Sequence, residues 1–391
     1  MKLTELLKTA IERMASDIHF KAGSPPVLRI DGELTPMIEQ KRLTSEDTLA
    51  IAFSMMNNYQ KQKFKASNEV DMAYSVAGLG RFRVNVFQQR NTVALVMRVI
   101  PHKILKIDEL TLPPVVAELA LRPRGMVLVT GTTGSGKSTT LASMIDHINS
   151  LHTSHVMTIE DPIEFLHRDK KSIVNQREIG SDTHEFGHAL RSSLRQDPDV
   201  ILVGEMRDHE TIETALMAAE TGHFVMSTLH TLDATETVNR IVGVFPPHQQ
   251  KQIRIQLAGV IKGIISQRLV VRADGKGRIP AVEVMVATNL IREYIVDENK
   301  TKLIGDAIAA GRSHYGSQTF DQSLMDLYQR DLITYEEALK RSTNPDDFAL
   351  KARGIQSTSD LSQEEQERAG VTHETEETEA DETFKMDSFF S

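Results

Sequence analysis

The stretch that most constrains this 391-residue chain is Gly131-Thr132-Thr133-Gly134-Ser135-Gly136-Lys137-Ser138. A glycine, four residues and then Gly-Lys-Ser is the phosphate-binding loop pattern. Both flanks agree with it. Met126-Val127-Leu128-Val129-Thr130 is a short apolar run of the kind that forms a buried parallel strand. After the loop, Leu141, Met144, Ile145 and Ile148 recur at helical spacing. The glycines let backbone N–H groups turn onto phosphate oxygens, and the helix N-terminus adds partial positive charge. In that geometry Lys137 reaches the outer phosphates and the Ser138 hydroxyl holds Mg2+. Thr139 follows in the same turn, so residues 131–139 are the expected nucleotide-binding set.

Composition narrows the setting. There is no cysteine, which excludes a disulfide framework, a thiolate zinc site and a catalytic thiol. No uncharged apolar run approaches the roughly 20 residues of a membrane helix, so direct membrane insertion is not expected. The N-terminus is charged and amphipathic, without a signal-peptide core. The net charge of −9 has a location: residues 355–391 hold eleven acidic and two basic residues, and the remaining 43 of each sign cancel. That acidic segment is expected to be disordered. It ends Phe384-Lys385-Met386-Asp387-Ser388-Phe389-Phe390, either a docking peptide or a passive tail.

The chain divides into an expected first domain (1–104), a linker with Pro113-Pro114 (105–114), a core (115–286), a helical region (287–345) and an acidic tail (346–391). The first domain reads as α+β. It has an opening amphipathic helix, a strand at 27–30 turning at Asp31-Gly32, a helix over 45–57, and strands over 70–76, 81–88 and 92–99. Alternation puts Phe82, Val84 and Val86 on one sheet face and Arg81, Arg83, Asn85 and Phe87 on the other. The core alternates apolar strands (126–130, 155–160, 200–204, 224–229) with helices, which argues a parallel sheet covered on both faces. Helical patterns follow at 249–269, 289–296, 301–310, 320–329 and 335–341.

Ligands of such sheets bind at the carboxyl ends of the strands. Three of the four core strands end there in polar residues. Asp197-Pro198-Asp199-Val200-Ile201-Leu202-Val203-Gly204-Glu205 resembles a Walker B strand that delivers Glu205 beside Mg2+. Thr158-Ile159-Glu160-Asp161-Pro162-Ile163-Glu164 offers three carboxylates. Glu164 is the expected base for an attacking water, and Glu160 and Asp161 would orient neighbours or Mg2+ waters. His223 and His230 flank the strand 224–229; they sense phosphate, hydrogen-bond structurally or bind metal. Arg81, Arg83, Arg195 and Arg207 are the candidates for stabilising phosphoryl charge, against solvated or ion-paired roles. No basic run with interleaved aromatics suggests a nucleic-acid groove.

Together these segments resemble the secretion ATPase superfamily and, within it, the PilT/PilU twitching-motility ATPases of type IV pili. The resemblance covers residues 1–345. It rests on Ala15-Ser16-Asp17-Ile18-His19-Phe20, Gly80-Arg81-Phe82-Arg83-Val84-Asn85, the phosphate loop, the carboxylate cluster and Leu194-Arg195-Gln196-Asp197-Pro198-Asp199. It also rests on Gly204-Glu205-Met206-Arg207-Asp208 and on Glu220-Thr221-Gly222-His223 through Ser227-Thr228-Leu229-His230-Thr231. The resemblance implies an α/β fold with a PAS-like N-terminal domain on a RecA-like ATPase core, assembled as a hexameric ring. ATP would lie between the two domains, met by Arg81 and Arg83. Glu160 to Glu164 would be the Asp box, Glu205 the Walker B acid, and His223 and His230 part of the His box. The implied role is pilus depolymerisation by a cytoplasmic ring docked under an inner-membrane platform protein. Val286-Ala287-Thr288-Asn289-Leu290-Ile291-Arg292-Glu293 departs from the retraction motif by Thr288 in place of arginine. That and the acidic tail are more like the PilU branch, which works with a PilT-like ATPase. Two classes stay open: a hydrolysing motor, or a nucleotide-binding accessory module that stabilises a PilT ring.

Overall fold

In the computed structural model the described residues are 3–30, 32–100 and 103–354. The expected turn residue Asp31 and the aromatic end of the acidic tail lie outside them. The chain divides into two units, 1–343 and 344–391.

The first unit opens with α1 (Leu3–Glu12), which buries Leu6, Leu7 and Ala10. Then come β1 (Asp17–Phe20), β2 (Val27–Ile30), β3 (Glu33–Pro36), α2 (Ser45–Met55), α3 (Asn58–Ser67), β4 (Glu69–Val76), β5 (Gly80–Gln89) and β6 (Thr92–Val99). The strands form one antiparallel sheet in the order β3-β2-β1-β6-β5-β4. On β5 the predicted faces hold: Phe82, Val84 and Val86 are buried and Arg83 is exposed. The single helix expected over 45–57 ends early, because Asn57 begins another. Its side chain accepts from Gln60 N at 2.8 Å, and the Gln60 side chain accepts from Asn57 N at 2.9 Å, a reciprocal cap that satisfies two orphan donors.

The second sheet is built from α4 (Val115–Ala120), β7 (Gly125–Thr130), α5 (Lys137–Leu151), β8 (His155–Glu160), β9 (Ile173–Glu178), α6 (Phe186–Ser193), β10 (Val200–Val203), α7 (His209–Glu220), β11 (Phe224–Leu229), α8 (Ala234–Gly243), α9 (Pro247–Val260), β12 (Ile261–Val271) and β13 (Arg278–Val286). The strand order is β13-β12-β7-β11-β10-β8-β9. All neighbours are parallel except β13, which pairs antiparallel with β12. Apolar clusters cover the two faces, one around Ile201, Ile212 and Leu257, the other around Val129, Ile145 and Phe224. Every residue of β7 is buried, as a strand covered on both faces requires.

The helix expected over 249–269 is corrected by this sheet. It stops at Val260, and residues from Ile261 form β12. The β-branched residues Ile264, Ile265, Val270 and Val271 favour the strand. Gly263 lets it pass under α4, since a Cβ there would meet Leu119 Cδ1 at 2.7 Å. The four strands expected from the sequence, β7, β8, β10 and β11, are parallel as expected, and β13 adds an antiparallel edge.

The unit ends in α10 (Asn289–Val296), a 3-10 turn (Thr301–Leu303), α11 (Ile304–Ala310), α12 (Arg312–Tyr315), α13 (Phe320–Gln329) and α14 (Tyr335–Arg341). In the second unit, the segment expected to lack structure from residue 346 begins instead with α15 (Pro345–Ala352). Asn344 caps it by accepting from Asp347 N at 3.3 Å, and Pro345 occupies the first turn, where proline is tolerated.

Candidate active site

The loop after β7 turns where only glycine fits. Gly131 has φ +139°, and a Cβ there would stand 2.4 Å from Gln267 O on β12 and 2.6 Å from Ser135 Oγ. Gly136, with φ +94°, opens α5 without a side-chain cap. The first N–H groups of that helix are therefore free of a capping side chain and aim at the loop. Lys137 folds back inside: its Nζ donates to Gly131 O at 2.7 Å and Thr132 O at 3.0 Å. Burial lowers its pKa, opposed by the charges of Glu205 and Glu164. The Ser135 hydroxyl is buried without a partner.

The neighbouring strands bring the acids. Ser227 Oγ donates to Val203 O at 2.6 Å and Thr228 Oγ1 to Gly204 O at 2.7 Å, tying β11 to the end of β10. Glu205 emerges from that junction. It pairs with Arg207, and His230 Nε2 lies 3.2 Å from its Oε1. After β8, Glu160 accepts from Thr158 Oγ1 at 2.6 Å and Gln176 Nε2 at 3.1 Å. Burial raises the pKa of this carboxyl, the hydrogen bonds opposing it. Glu164, four residues on, is exposed.

These groups line one cleft of about 610 Å3, a volume typical of a small-molecule site. Thr133, Gly134, Gly136, Lys137, Ser138 and Thr139 form its floor, with Glu160, Glu164, Glu205, Arg207 and His230 around them. Arg83 closes it from the first sheet. Further lining residues, among them His167, Leu269 and Arg278, were not singled out from sequence. Their signal was hidden because β12 read as helix and because lone aromatic or basic residues carry no spacing. His167 is held neutral: burial pushes its pKa down to about 4.

Three sequence candidates stand elsewhere. Arg81 pairs with Glu178 at 2.6 Å, in the joint between the sheets. Arg195 donates to Arg191 O at 3.3 Å behind α6. His223 precedes β11, at the end of the strand opposite the cleft, and its Nδ1 lies 2.9 Å from Ala218 O.

The donors suit Mg2+, which prefers hard oxygens and keeps several waters, using one or two carboxylates besides substrate phosphates. Ser138, Glu205 and Glu160 supply such oxygens to one cleft. Among the described residues no group of three or more His, Asp or Glu gathers for a metal held by protein alone. None of the described helices is long and apolar enough to cross a membrane.

Comparison with known proteins gives the family. The model of the type II/IV secretion system protein family matches residues 1–314. Over 352 residues the chain is 45% identical to the type IV pilus retraction ATPase PilT of Pseudomonas aeruginosa, spanning 89% of this chain and 100% of that protein. It is 40% identical to the type IV pilus ATPase PilU of the same organism, over 92% of this chain and 94% of that one. These two identities do not assign the chain to the PilU branch. A crystal structure of the pilus retraction motor PilT with bound ADP superposes with a TM-score of 0.82 at 50% identity, over 88% of this chain and 98% of that one.

Proposed function

Since the chain belongs to the type II/IV secretion system protein family, as a PilT-like pilus retraction ATPase, we propose that its cleft binds Mg-ATP and hydrolyses it to drive pilus retraction. The observation that carries this reading is the meeting of the phosphate loop, Glu160, Glu164, Glu205, His230 and Arg83 in one cleft.

In the proposed reaction a water oxygen attacks the γ-phosphorus, its proton passes to Glu164, and the bond to the β-phosphate breaks to leave ADP. Lys137 exchanges its two loop carbonyls for β- and γ-phosphate oxygens. Ser138, Glu205 and Glu160 would hold Mg2+, which would supply positive charge to the phosphate oxygens. His230, beside Glu205, reports the presence of the γ-phosphate. Arg83 and Arg207 stabilise the phosphoryl group. Arg81, Arg195 and His223 then act through the assembly or the scaffold.

We read residues 1–104 as the N-terminal PAS-like domain, 105–114 as the linker, 115–286 as the RecA-like core and 287–345 as the helical region. The working form is a hexameric ring in the cytoplasm, peripheral to the inner membrane. It engages a platform protein and a PilT-like ATPase.

The test is steady-state phosphate release by the purified protein, with fluorescent ATP-analogue binding measured in parallel. Glu205→Ala is expected to keep binding and to lose at least about a hundredfold in turnover. Unchanged turnover in both Glu205→Ala and Glu164→Gln would overturn the assignment.

One observation favours the accessory reading: Thr288 occupies the family's arginine position and caps α10, accepting from Ile291 N at 3.3 Å. If Lys137→Ala leaves pilus retraction intact while the protein still docks on a PilT ring, the accessory role holds.

A further inference from the structure

A second charged feature lies at the end of β7 opposite the phosphate loop. Arg122 and Arg124 are exposed just before the strand. Lys262, second residue of β12, lies across them; a Cβ on Gly125 would meet its Cε at 2.4 Å. Arg292 on α10 reaches the same edge, donating to the carbonyls of Ala258, Gly259 and Ile261. Those carbonyls satisfy its donors without cancelling its charge. Burial lowers the Lys262 pKa, and Arg292, Arg124 and Arg122 each lower it further. Among the described residues no carboxylate acts on Lys262 in the opposite direction. Among the described residues none of these four cations forms an ion pair with an acidic side chain.

Like charges gathered from a loop, a strand and a helix repel one another unless an anion joins them. Arg122 and Arg124 are arginines at the exposed side of this edge, and the planar fork of arginine matches carboxylates in pairs. Outside residues 355–391 the 43 acidic and 43 basic residues balance, so the folded chain carries no net acidic surplus. The surplus lies in residues 360–382, which hold ten acidic residues and one basic. We propose that this basic edge docks the acidic segment 360–382 of a second copy of the chain. The choice of a second copy rests on the ring proposed above, which keeps that segment at high effective concentration beside its neighbour.

The absence of cysteine makes the test clean. Full-length Pro123→Cys protein is mixed with tagged full-length Glu377→Cys protein under mild oxidation. The tag identifies the mixed covalent dimer, and light scattering reports the assembly. The dimer is expected at five or more times the yield given when Ile38→Cys, 88% exposed on the other sheet, replaces Pro123→Cys. Adding Arg122→Glu to the Pro123→Cys chain, or raising the salt to about 0.5 M, should cut the yield at least fivefold. A ring whose cross-linking equals the Ile38→Cys control, or ignores Arg122→Glu, overturns the docking site alone. In a further full-length variant carrying both Pro123→Cys and Glu377→Cys, a disulfide that forms there only within single chains, with no mixed dimer between the single variants, overturns the second copy as its source. A monomeric mass overturns the ring reading and this proposal with it.

Discussion

Arg81 Nη2 stands 2.6 Å from Glu178 Oε2, and this ion pair joins β5 of the first sheet to β9 at the edge of the second. Both side chains are largely buried, 17% and 6% exposed. The same carboxylate oxygen accepts from Ile163 N at 3.1 Å, so it also pins the loop that carries Glu164. Arg81→Ala leaves Glu178 buried beside no counter-charge. The expected cost is about 3 kcal/mol in urea unfolding, together with a fall in turnover as the loop loosens. A double-mutant cycle with Glu178→Ala checks it; a coupling below about 0.5 kcal/mol would contradict the account.

Gly131→Ala tests the phosphate loop without touching a polar group. Its Cβ would lie 2.4 Å from a backbone oxygen of β12, at a φ that disfavours side chains. Neither strand can give way, because both are paired within the sheet. We expect a destabilisation of about 2 kcal/mol or more and loss of nucleotide binding. Gly243→Ala, on α8 with nothing within 4 Å of the added atom, should leave binding as it is in the unsubstituted protein.

Glu283 gives a pH dependence of known sign. It accepts from Ala234 N at 2.8 Å within the core, and burial pushes its carboxyl up to about 7. The folded state therefore holds the proton more tightly than the unfolded chain. The stability this contributes is full below the unfolded value near 4.5 and is lost as pH rises through about 7. Glu283→Gln keeps an acceptor for Ala234 and removes the titration. Its stability relative to the natural protein should rise between pH 5 and pH 8, by up to about 3 kcal/mol. Melting curves of both proteins at the two pH values decide it, and a constant difference would refute it.

Thr288→Arg restores the residue of the retraction motif at the expense of a cap. The Thr288 hydroxyl accepts from Ile291 N at 3.3 Å, and losing such a cap costs about 1 kcal/mol. The expected result is a slightly less stable protein with unchanged ATP binding. Chemical unfolding and nucleotide titration read the two effects separately.

The core strands and the phosphate loop were legible because local chemistry dictates them. A buried parallel strand is apolar throughout, and the loop needs glycine where φ is positive. The 249–269 stretch was not, since a short apolar run fits a buried strand as well as a buried helix, and its apolar residues recur at both periods. The sheet decides, through Gly263 and pairing with β7. In the cleft, the acids that end strands could be read in advance. Arg278 and His167 could not, because only the folded path brings them there. Arg81 and Arg83 alternate on one strand and looked equivalent, yet one meets Glu178 and the other the cleft. That difference is made by β9, which the sequence conceals behind a polar, half-exposed pattern.

The buried strand beneath the loop has a consequence for hydrogen exchange. β7 has β11 on one side and β12 on the other, and none of its residues reaches solvent. Its amides therefore exchange with deuterium only when the whole sheet opens, on the slowest timescale the molecule has. The loop that receives phosphate thus hangs from a fully buried interior strand, and exchange that quickens or slows with nucleotide should appear in the walls of the cleft, not beneath it.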